Sequence, residues 1–376
     1  MSSKYKVLLL GAGKIGSAVA IYLARSGDFD VCVGDMDEHA LDRIGGSHDA
    51  IDTLKLDVGD PAALADAMNG RTSVLSAVSF ASNPLIARVA LEQGLSYFDL
   101  TEDVETTKAV RAVSERAKPG QIFMPQCGLA PGFVSIAAND LVKKFDSLHE
   151  VRMRVGALPV FPTNEMKYNL TWSTDGLINE YGNPCEAIHN GKLINVLPLE
   201  GLEHFSLDGI DYEAFNTSGG VGTLAETLEG KARTLNYKTI RYRGHRDLIA
   251  FLMNELRMNE DRSTLKRIFE NAVPITPQDV VLIFCTVTGQ RDGHFTQLTD
   301  ARKVYAGDFM GQKSSAIQIT TAASLCAVVD LHRQGKLPNK GFVKQEEVSL
   351  ADFLANRFGE VYDVKHGAER VKTPAV

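Results

Sequence analysis

The sequence has no run of 18 or more apolar residues, so no membrane span is expected. It has no excess of positive charge either: 40 Lys+Arg stand against 47 Asp+Glu, a formal charge of −7. Tracking a phosphate backbone needs a basic face, so no nucleic-acid partner is expected. Cysteine is scarce. The five cysteines (Cys32, Cys127, Cys185, Cys285, Cys326) are odd in number and far apart in sequence. That excludes a disulfide framework or a zinc ribbon and suits a reducing, cytoplasmic setting. No His-x-x-x-His, His-Glu-x-x-His or paired-cysteine spacing offers a metal site. There is no G-x-S-x-G elbow, no Walker loop, and no tyrosine with a lysine four residues on. Repeats and low-complexity linkers are absent, and Met1 to Lys6 leads into a strand pattern with no signal peptide expected.

What is present begins with a dinucleotide fingerprint. Lys6 to Leu10 is a short apolar run, followed by Gly11-Ala12-Gly13-Lys14-Ile15-Gly16 and then helical apolar spacing from Ser17 to Ala24. Strand, G-x-G-x-x-G and helix is the context in which the motif binds a pyrophosphate on a helix N-terminus. Asp30 to Asp35 reads as the second strand, and Asp35 stands 24 residues after Gly11. A carboxylate there accepts bonds from ribose hydroxyls and repels a 2′-phosphate, so NAD is expected, with NADP the alternative. Asp37 competes for that role, and Asp35 could instead cap the next helix.

Strands and helices then alternate through Gln126, giving six strands and an expected doubly wound parallel sheet. Ligands bind at the carboxyl ends of such strands. Those ends hold Asp35, Asp57, Val78-Ser79-Phe80, Asp99 to Glu102, and Cys127. From about Glu150 the strands lengthen and alternate, which predicts a second α+β domain with a mostly antiparallel sheet. Asp247 to Arg267 reads as helical. Ser314 to Arg333 reads as a long apolar helix buried between domains or against the first one. The polar tail from Lys365 is expected to fray. The expected organisation is an N-terminal Rossmann domain, residues 1–128 with about 312–376, and a substrate and dimerisation domain, residues 129–311.

Two polar segments stand out in the second domain. Lys167 to Gly176 holds Tyr168 and the only tryptophan, Trp172. Thr217-Ser218-Gly219-Gly220 is followed by Tyr237 to His245. Strand alternation would set Tyr237, Thr239, Arg241 and Arg243 on one face, with Lys238, Ile240 and Tyr242 opposite. Two guanidiniums on one face suit bidentate carboxylate capture, while a solvated basic edge is the plainer reading. Trp172 could equally be a core aromatic, Cys127 a small packed hydrophobe, and His245 a structural histidine.

The chain resembles the saccharopine dehydrogenase family over essentially its whole length. The resemblance rests on Gly11 to Gly16, Cys127-Gly128-Leu129-Ala130-Pro131-Gly132, Val155 to Pro159, Tyr168 with Trp172-Ser173, Glu213-Ala214-Phe215, Thr217 to Gly220, and Lys238 to Gly244. It implies NAD(P)-dependent oxidation of the C–N bond at a lysine ε-carbon, with an imine hydrolysed to an aldehyde. Saccharopine would yield aminoadipate semialdehyde and glutamate in lysine degradation. L-lysine would release ammonia, as for a lysine 6-dehydrogenase. A non-catalytic NAD(P)-binding sensor is the alternative from another class. The resemblance places Gly11, Ala12, Gly13, Lys14, Ile15, Gly16, Asp35, Asp57, Val78, Ser79 and Phe80 at the cofactor. Asp99, Cys127 and Tyr168 become the catalytic candidates. Glu102, Trp172, Ser218, Lys238, Arg241 and Arg243 become the substrate-binding candidates. Expected partners are a small amino-acid substrate, a second copy in a homodimer, and functionally a lysine–ketoglutarate reductase.

Overall fold

The computed structural model describes residues 4–364; the tail from Lys365 lies outside the described residues. The chain forms two compact units. The first runs through Phe133 and adds Asp308–Lys313 and Gln318–Val361. The second comprises Val134–Gly307, Ser314–Ile317 and the described residues 362–364. The division falls at Phe133, and the returning segment from Asp308 belongs to the first unit for most of its length, with Ser314–Ile317 in the second.

In the first unit, strands β1 (Tyr5–Leu10), β2 (Phe29–Asp35), β3 (Ile51–Lys55), β4 (Ser73–Ser76), β5 (Ser96–Asp99) and β6 (Ile122–Met124) are all parallel. Their order is β6-β5-β4-β1-β2-β3, with a seventh strand, Gly341–Phe342, outside β6. That strand has only two residues, too few for any period to show in sequence. Central β1 buries Val7, Leu8, Leu9 and Leu10 completely, as a strand covered on both faces must. The crossover helices are α1 (Lys14–Arg25), α2 (Glu38–Gly45), α3 (Pro61–Met68), α4 (Asn83–Gln93) and α5 (Val104–Ser114). Asp37, Asp60 and Asp103 start α2, α3 and α5 by accepting backbone N–H bonds from the first turn.

The second unit opens with α6 (Phe133–Val142) and is built on β7 (Ser147–Pro159). The chain continues through α7 (Thr174–Gly182), β8 (Cys185–His189), β9 (Lys192–Val196), β10 (Glu203–Leu207), β11 (Ile210–Asn216) and α8 (Leu224–Leu228). Then come β12 (Ala232–Tyr242), α9 (His245–Ala250), α10 (Arg262–Ala272), β13 (Asp279–Arg291) and β14 (His294–Tyr305). The sheet order is β10-β11-β12-β7-β13-β14, with β8 on β12 and β9 on β8. Only β7 and β12 pair in parallel; the other pairs are antiparallel. One cluster packs Tyr168, Leu177, Tyr181, Phe215, Ile249 and Phe269 together. A second packs Leu158, Tyr212, Ile240 and Leu282.

One helical expectation changes and another holds. The stretch Asp247 to Arg267 is not one helix. It holds α9, a π turn at Phe251–Glu255, a 3-10 turn at Met258–Glu260 and then α10. Arg257 takes φ +56°, which interrupts the helical ladder, and the Asp261 carboxylate accepts the Thr264 N–H to start α10 afresh. The long apolar helix is α11 (Ala316–Arg333), and from Gln318 it belongs to the first unit. There His332 bonds Ser96 at 3.1 Å and meets the rings of Tyr5 and Phe98. Leu350–Ala355 follows as α12.

Lys238 lies in a salt-bridge cluster of the second unit. Glu203 on β10 pairs with Arg154 of β7, whose side chain is 3% exposed, and with Lys238 Nζ at 2.9 Å. Burial works to raise the Glu203 pKa, but the bonds from Arg154 and then Lys238 outweigh it and hold the carboxyl down at about 2. Its ionised form therefore stabilises the fold fully above the unfolded glutamate pKa of about 4.3, and that contribution fades as pH falls toward the folded value. Glu203→Gln should cost about 2 kcal/mol in urea unfolding at neutral pH, because it strands a buried guanidinium. The figure is below that for a fully enclosed pair because Glu203 keeps 32% exposure. The difference from wild type should shrink as pH is lowered from about 4.3 to about 2.

Candidate functional site

The glycine loop follows β1 directly. Gly11 takes φ +104°, open to glycine at no steric cost. A Cβ on Gly16 would lie 1.9 Å from the Gly11 carbonyl oxygen, so α1 approaches the loop only because Gly16 has none. Gly13 differs: a Cβ there would meet nothing within 4 Å. Gly13 is the N-cap of α1, and no side chain caps that helix. An open N-terminus with its dipole is the physical form of a phosphate site. Lys14 is exposed and Ile15 half-buried in the first turn. The N–H groups of Gly11 and Ala12 are engaged within the protein. The Gly11 N–H donates to Gly34 O at 2.9 Å, extending the β1–β2 ladder, and the Ala12 N–H donates to Asp35 Oδ2 at 2.6 Å. The cradle therefore narrows to the amides that open α1.

The rivalry between Asp35 and Asp37 has a structural answer. Asp37 caps α2, accepting from His39 and Ala40. Asp35 ends β2 and braces the glycine loop, and each of its oxygens keeps a lone pair for a further donor. Asp57 is exposed past β3 and accepts the Gly59 N–H at 2.8 Å. Val78 packs beside Gly11, with its Cγ1 3.2 Å from where a Gly11 Cβ would stand. Ser79 is exposed, and Phe80 opens a 3-10 turn ending at Ser82.

Asp99 and Cys127 lie deeper than their proposed roles need. Asp99 is 0% exposed. Its carboxylate accepts the Tyr97 hydroxyl at 2.7 Å and the N–H groups of Thr101 and Gln126, each at 2.9 Å. Burial pushes its pKa up to about 6, with those three bonds pulling it back. Cys127 is 0% exposed, its thiol donates to Met124 O, and burial and then Asp99 push it well above the usual range. The Asp99 side chain ties the carboxyl ends of β5 and β6 together, the Cys127 thiol stays with β6 and Gln345, and neither presents an open face for a substrate proton. Glu102 is half-buried on the loop after β5, and burial raises its carboxyl.

The second unit gathers a different cluster around Arg241. This side chain is 3% exposed on β12. Its Nε donates to the Tyr181 hydroxyl at 2.9 Å and its Nη1 to Ile240 O at 2.9 Å. The guanidinium also lies 4.9 Å from the Tyr168 ring centroid. Burial opposes its charge, but Tyr181, Tyr168 and Glu180 more than compensate, raising its pKa. The Tyr168 hydroxyl, 1% exposed as a residue, stands beside Trp172 and Thr171 without a well-aligned hydrogen bond. The Asn169 Oδ1 and Thr171 Oγ1 atoms are likewise buried without a partner among the described residues. A buried cation over the ring of a tyrosine whose hydroxyl is unsatisfied is suited to a polar ligand, since leaving such a group unmet is costly.

Residues 7–124 match the saccharopine dehydrogenase NADP binding domain, and residues 128–361 match the saccharopine dehydrogenase C-terminal domain. The chain belongs to the saccharopine dehydrogenase family. Its first unit binds a nicotinamide dinucleotide. Rat mitochondrial alpha-aminoadipic semialdehyde synthase is 22% identical over 361 residues, covering 90% of this chain and 38% of the relative. Saccharopine dehydrogenase [NADP(+), L-glutamate-forming] of Schizosaccharomyces pombe is 22% identical over 261 residues, covering 66% of this chain and 57% of the relative. The chain thus spans less than two thirds of the length of these curated relatives. Apo saccharopine dehydrogenase (L-Glu forming) from Saccharomyces cerevisiae shares the fold at TM-score 0.75 and 16% identity, covering 98% of each chain. Homospermidine synthase from Legionella pneumophila in complex with NAD does so at TM-score 0.68 and 13% identity, covering 96% of this chain and 90% of that one.

In this saccharopine dehydrogenase family member the two arginines do not act as a pair. β12 ends at Tyr242, so alternation stops before Arg243, which is 53% exposed and reaches Asp211 at 3.5 Å. Lys238 is on the opposite face, committed to Glu203. Ser218 donates to Asn179 O at 3.0 Å and is satisfied within the protein. Trp172 is half-buried, and its ring lies where a Cβ on Gly176 would meet it at 2.3 Å. Tyr181 is the residue the sequence did not flag. It lies on α7 in no motif, and only tertiary packing sets it against Arg241.

The cradle makes a two-sided prediction. Gly13→Ala should leave the melting temperature unchanged, yet raise the Kd for NADH at least about tenfold in a fluorescence titration, by placing a methyl where the diphosphate approaches. Gly16→Ala should lower the melting temperature sharply, because its Cβ has nowhere to go.

Proposed function

We propose that this protein oxidises the C–N bond at the lysine ε-carbon of saccharopine, using NAD, and forms aminoadipate semialdehyde and glutamate in lysine degradation. The observation carrying the proposal is the buried Arg241 guanidinium beside the unsatisfied Tyr168 hydroxyl. A guanidinium in a dry setting holds an amino-acid carboxylate, and a neighbouring hydroxyl fixes its orientation. Asp35 supports NAD over NADP, although the matched domain is described by NADP. A ribose 2′-phosphate would meet its carboxylate. A nicotinamide dinucleotide held by the amides that open α1 and by Asp35 would supply the hydride acceptor. The chain's own residues then bind, orient and handle one proton. Glu102, raised by burial and on the ligand-binding edge of the sheet, suits that proton better than Asp99 or Cys127. Tyr168, held neutral by burial, serves as a donor to the bound substrate.

A second reading has its own observation. Saccharopine carries three carboxylates, and the structure keeps Arg243 and Lys238 away from Arg241. L-lysine, with one carboxylate, needs only Arg241 and would release ammonia. The homodimer rests on the general prevalence of two-fold homo-oligomers, and a functional pairing with a lysine–ketoglutarate reductase rests on the family resemblance. A reducing, cytoplasmic setting is supported by five free, buried cysteines. No helix among the described residues is long and apolar enough to cross a membrane.

The deciding experiment follows NADH formation with saccharopine and with L-lysine as separate substrates, and repeats each with NADP. Saccharopine-dependent turnover with glutamate release supports the proposal. Lysine-dependent turnover with ammonia release replaces it with the second reading. NAD binding without turnover of either leaves the sensor alternative. Asp35→Ser should narrow the preference for NAD over NADP by about tenfold or more, read as the ratio of kcat/KM values. Arg241→Lys should raise the substrate KM about tenfold while NAD affinity stays put, since a lysine cannot reproduce the planar fork.

A further inference from the structure

The bonds around Arg241 form a chain with one direction. His245 is 0% exposed and wedged among the rings of Tyr168, Tyr181 and Phe215. Its Nδ1 is 2.8 Å from the Met166 carbonyl oxygen. A carbonyl only accepts, so Nδ1 carries the hydrogen. Its Nε2 is 3.0 Å from the Tyr181 hydroxyl. In the neutral ring that nitrogen accepts, so Tyr181 O–H donates to it. The same Tyr181 oxygen accepts from Arg241 Nε at 2.9 Å. Donation therefore runs from Arg241 to Tyr181 to His245 to Met166. Each bond on that path has one direction, with the Tyr181 hydroxyl accepting from Arg241 and donating to His245.

We infer that His245 and Tyr181 are a positioning relay that fixes the aim of the Arg241 guanidinium toward a substrate carboxylate. This inference rests on the reading of Arg241 as the carboxylate partner. Tyr181 anchors the Nε edge, and the Ile240 carbonyl anchors Nη1. Those two bonds pin one side of a planar group that carries five N–H donors, and they orient the remaining donors without using them. His245 never touches the substrate in this scheme. It holds the Tyr181 hydroxyl in the rotamer that leaves its oxygen free to accept from Arg241. Burial first, and Arg241 next, push the His245 imidazole down to about 3, so the accepting Nε2 stays bare at working pH. Neither residue stands in the glycine loop or at the sheet edge of the first unit, so cofactor affinity is independent of the relay.

The test combines a spectroscopic and a kinetic readout on the full chain. Nitrogen-15 NMR of His245 should show a protonated Nδ1 and a bare Nε2, with the Nε2 resonance moving in Tyr181→Phe. A protonated Nε2 overturns the relay. In steady state with saccharopine, and in parallel with L-lysine, Tyr181→Phe should raise KM about tenfold, leaving kcat within about twofold and the NADH Kd unchanged. Combined with Arg241→Lys it should add nothing further, because both act through one group. His245→Gln, whose amide oxygen can accept from Tyr181, should stay near wild type, whereas His245→Leu should match Tyr181→Phe. Should His245→Leu not fold, the near-isosteric Tyr181→Phe still decides. If Arg241→Lys raises KM and Tyr181→Phe does not, or lowers only the melting temperature, the relay falls alone. If Arg241→Lys leaves KM unchanged, the carboxylate reading falls, and the relay with it.

Discussion

A guanidinium almost wholly out of water is the constraint around which the second unit is organised. Burying that charge costs several kcal/mol unless its hydrogens are met and its surroundings are polarisable. Arg241 meets the requirement with a tyrosine hydroxyl, a backbone carbonyl and two aromatic rings. Each partner then has its own demand. Tyr181 needs an acceptor and finds His245, and His245 needs one and finds Met166. The cluster packs Tyr168, Tyr181 and Phe215 against α9 and α10, so a polar demand at one side chain shapes an apolar core. Phe215 sits on β11, whose Glu213 lies directly across from Arg241 in the ladder. That glutamate accepts the N–H groups of Gly244 and Arg246 and so starts α9, which carries His245. The strand next to the arginine's and the helix holding its remote support are thus fastened by one carboxylate.

The first unit has the opposite economy. Its site is made by leaving things out: no Cβ at Gly11, Gly13 or Gly16, and no cap on α1. The nearby acids are already engaged. Asp35 braces the loop, Asp37 caps a helix and Asp99 joins two strand ends. Three carboxylates within one domain thus do three different jobs, and their environments separate them. Only Asp35 combines a place at the end of β2 with lone pairs to spare.

Much of this was legible from residue order. The glycine loop, the acid 24 residues on, and the period of strands and helices identify a doubly wound sheet because each signal is local and each has a geometric cause. The helices opened by Asp60-Pro61 and Asp103 could be read for the same reason. The ladder-like face of Tyr237, Thr239 and Arg241 was legible too, as far as the strand persists. Arg243 was misplaced because alternation says nothing about where a strand stops. The face of Lys238 was legible, but its partner was not: Glu203 is 35 residues away and reaches it only when β10 and β11 fold back.

Sequence by itself determined the family, the parallel dinucleotide-binding sheet and the mostly antiparallel second sheet, since backbone periodicity and glycine sterics act within a few residues. Tertiary structure alone decided which polar side chains are free to do chemistry. It closed off Asp99 and Cys127 by burial, split Arg241 from Arg243 and Lys238, and brought Tyr181 and His245 to the arginine across 60 residues or fewer of intervening chain. Accessibility and hydrogen-bond direction depend on everything packed around a group, and no spacing along the chain encodes them.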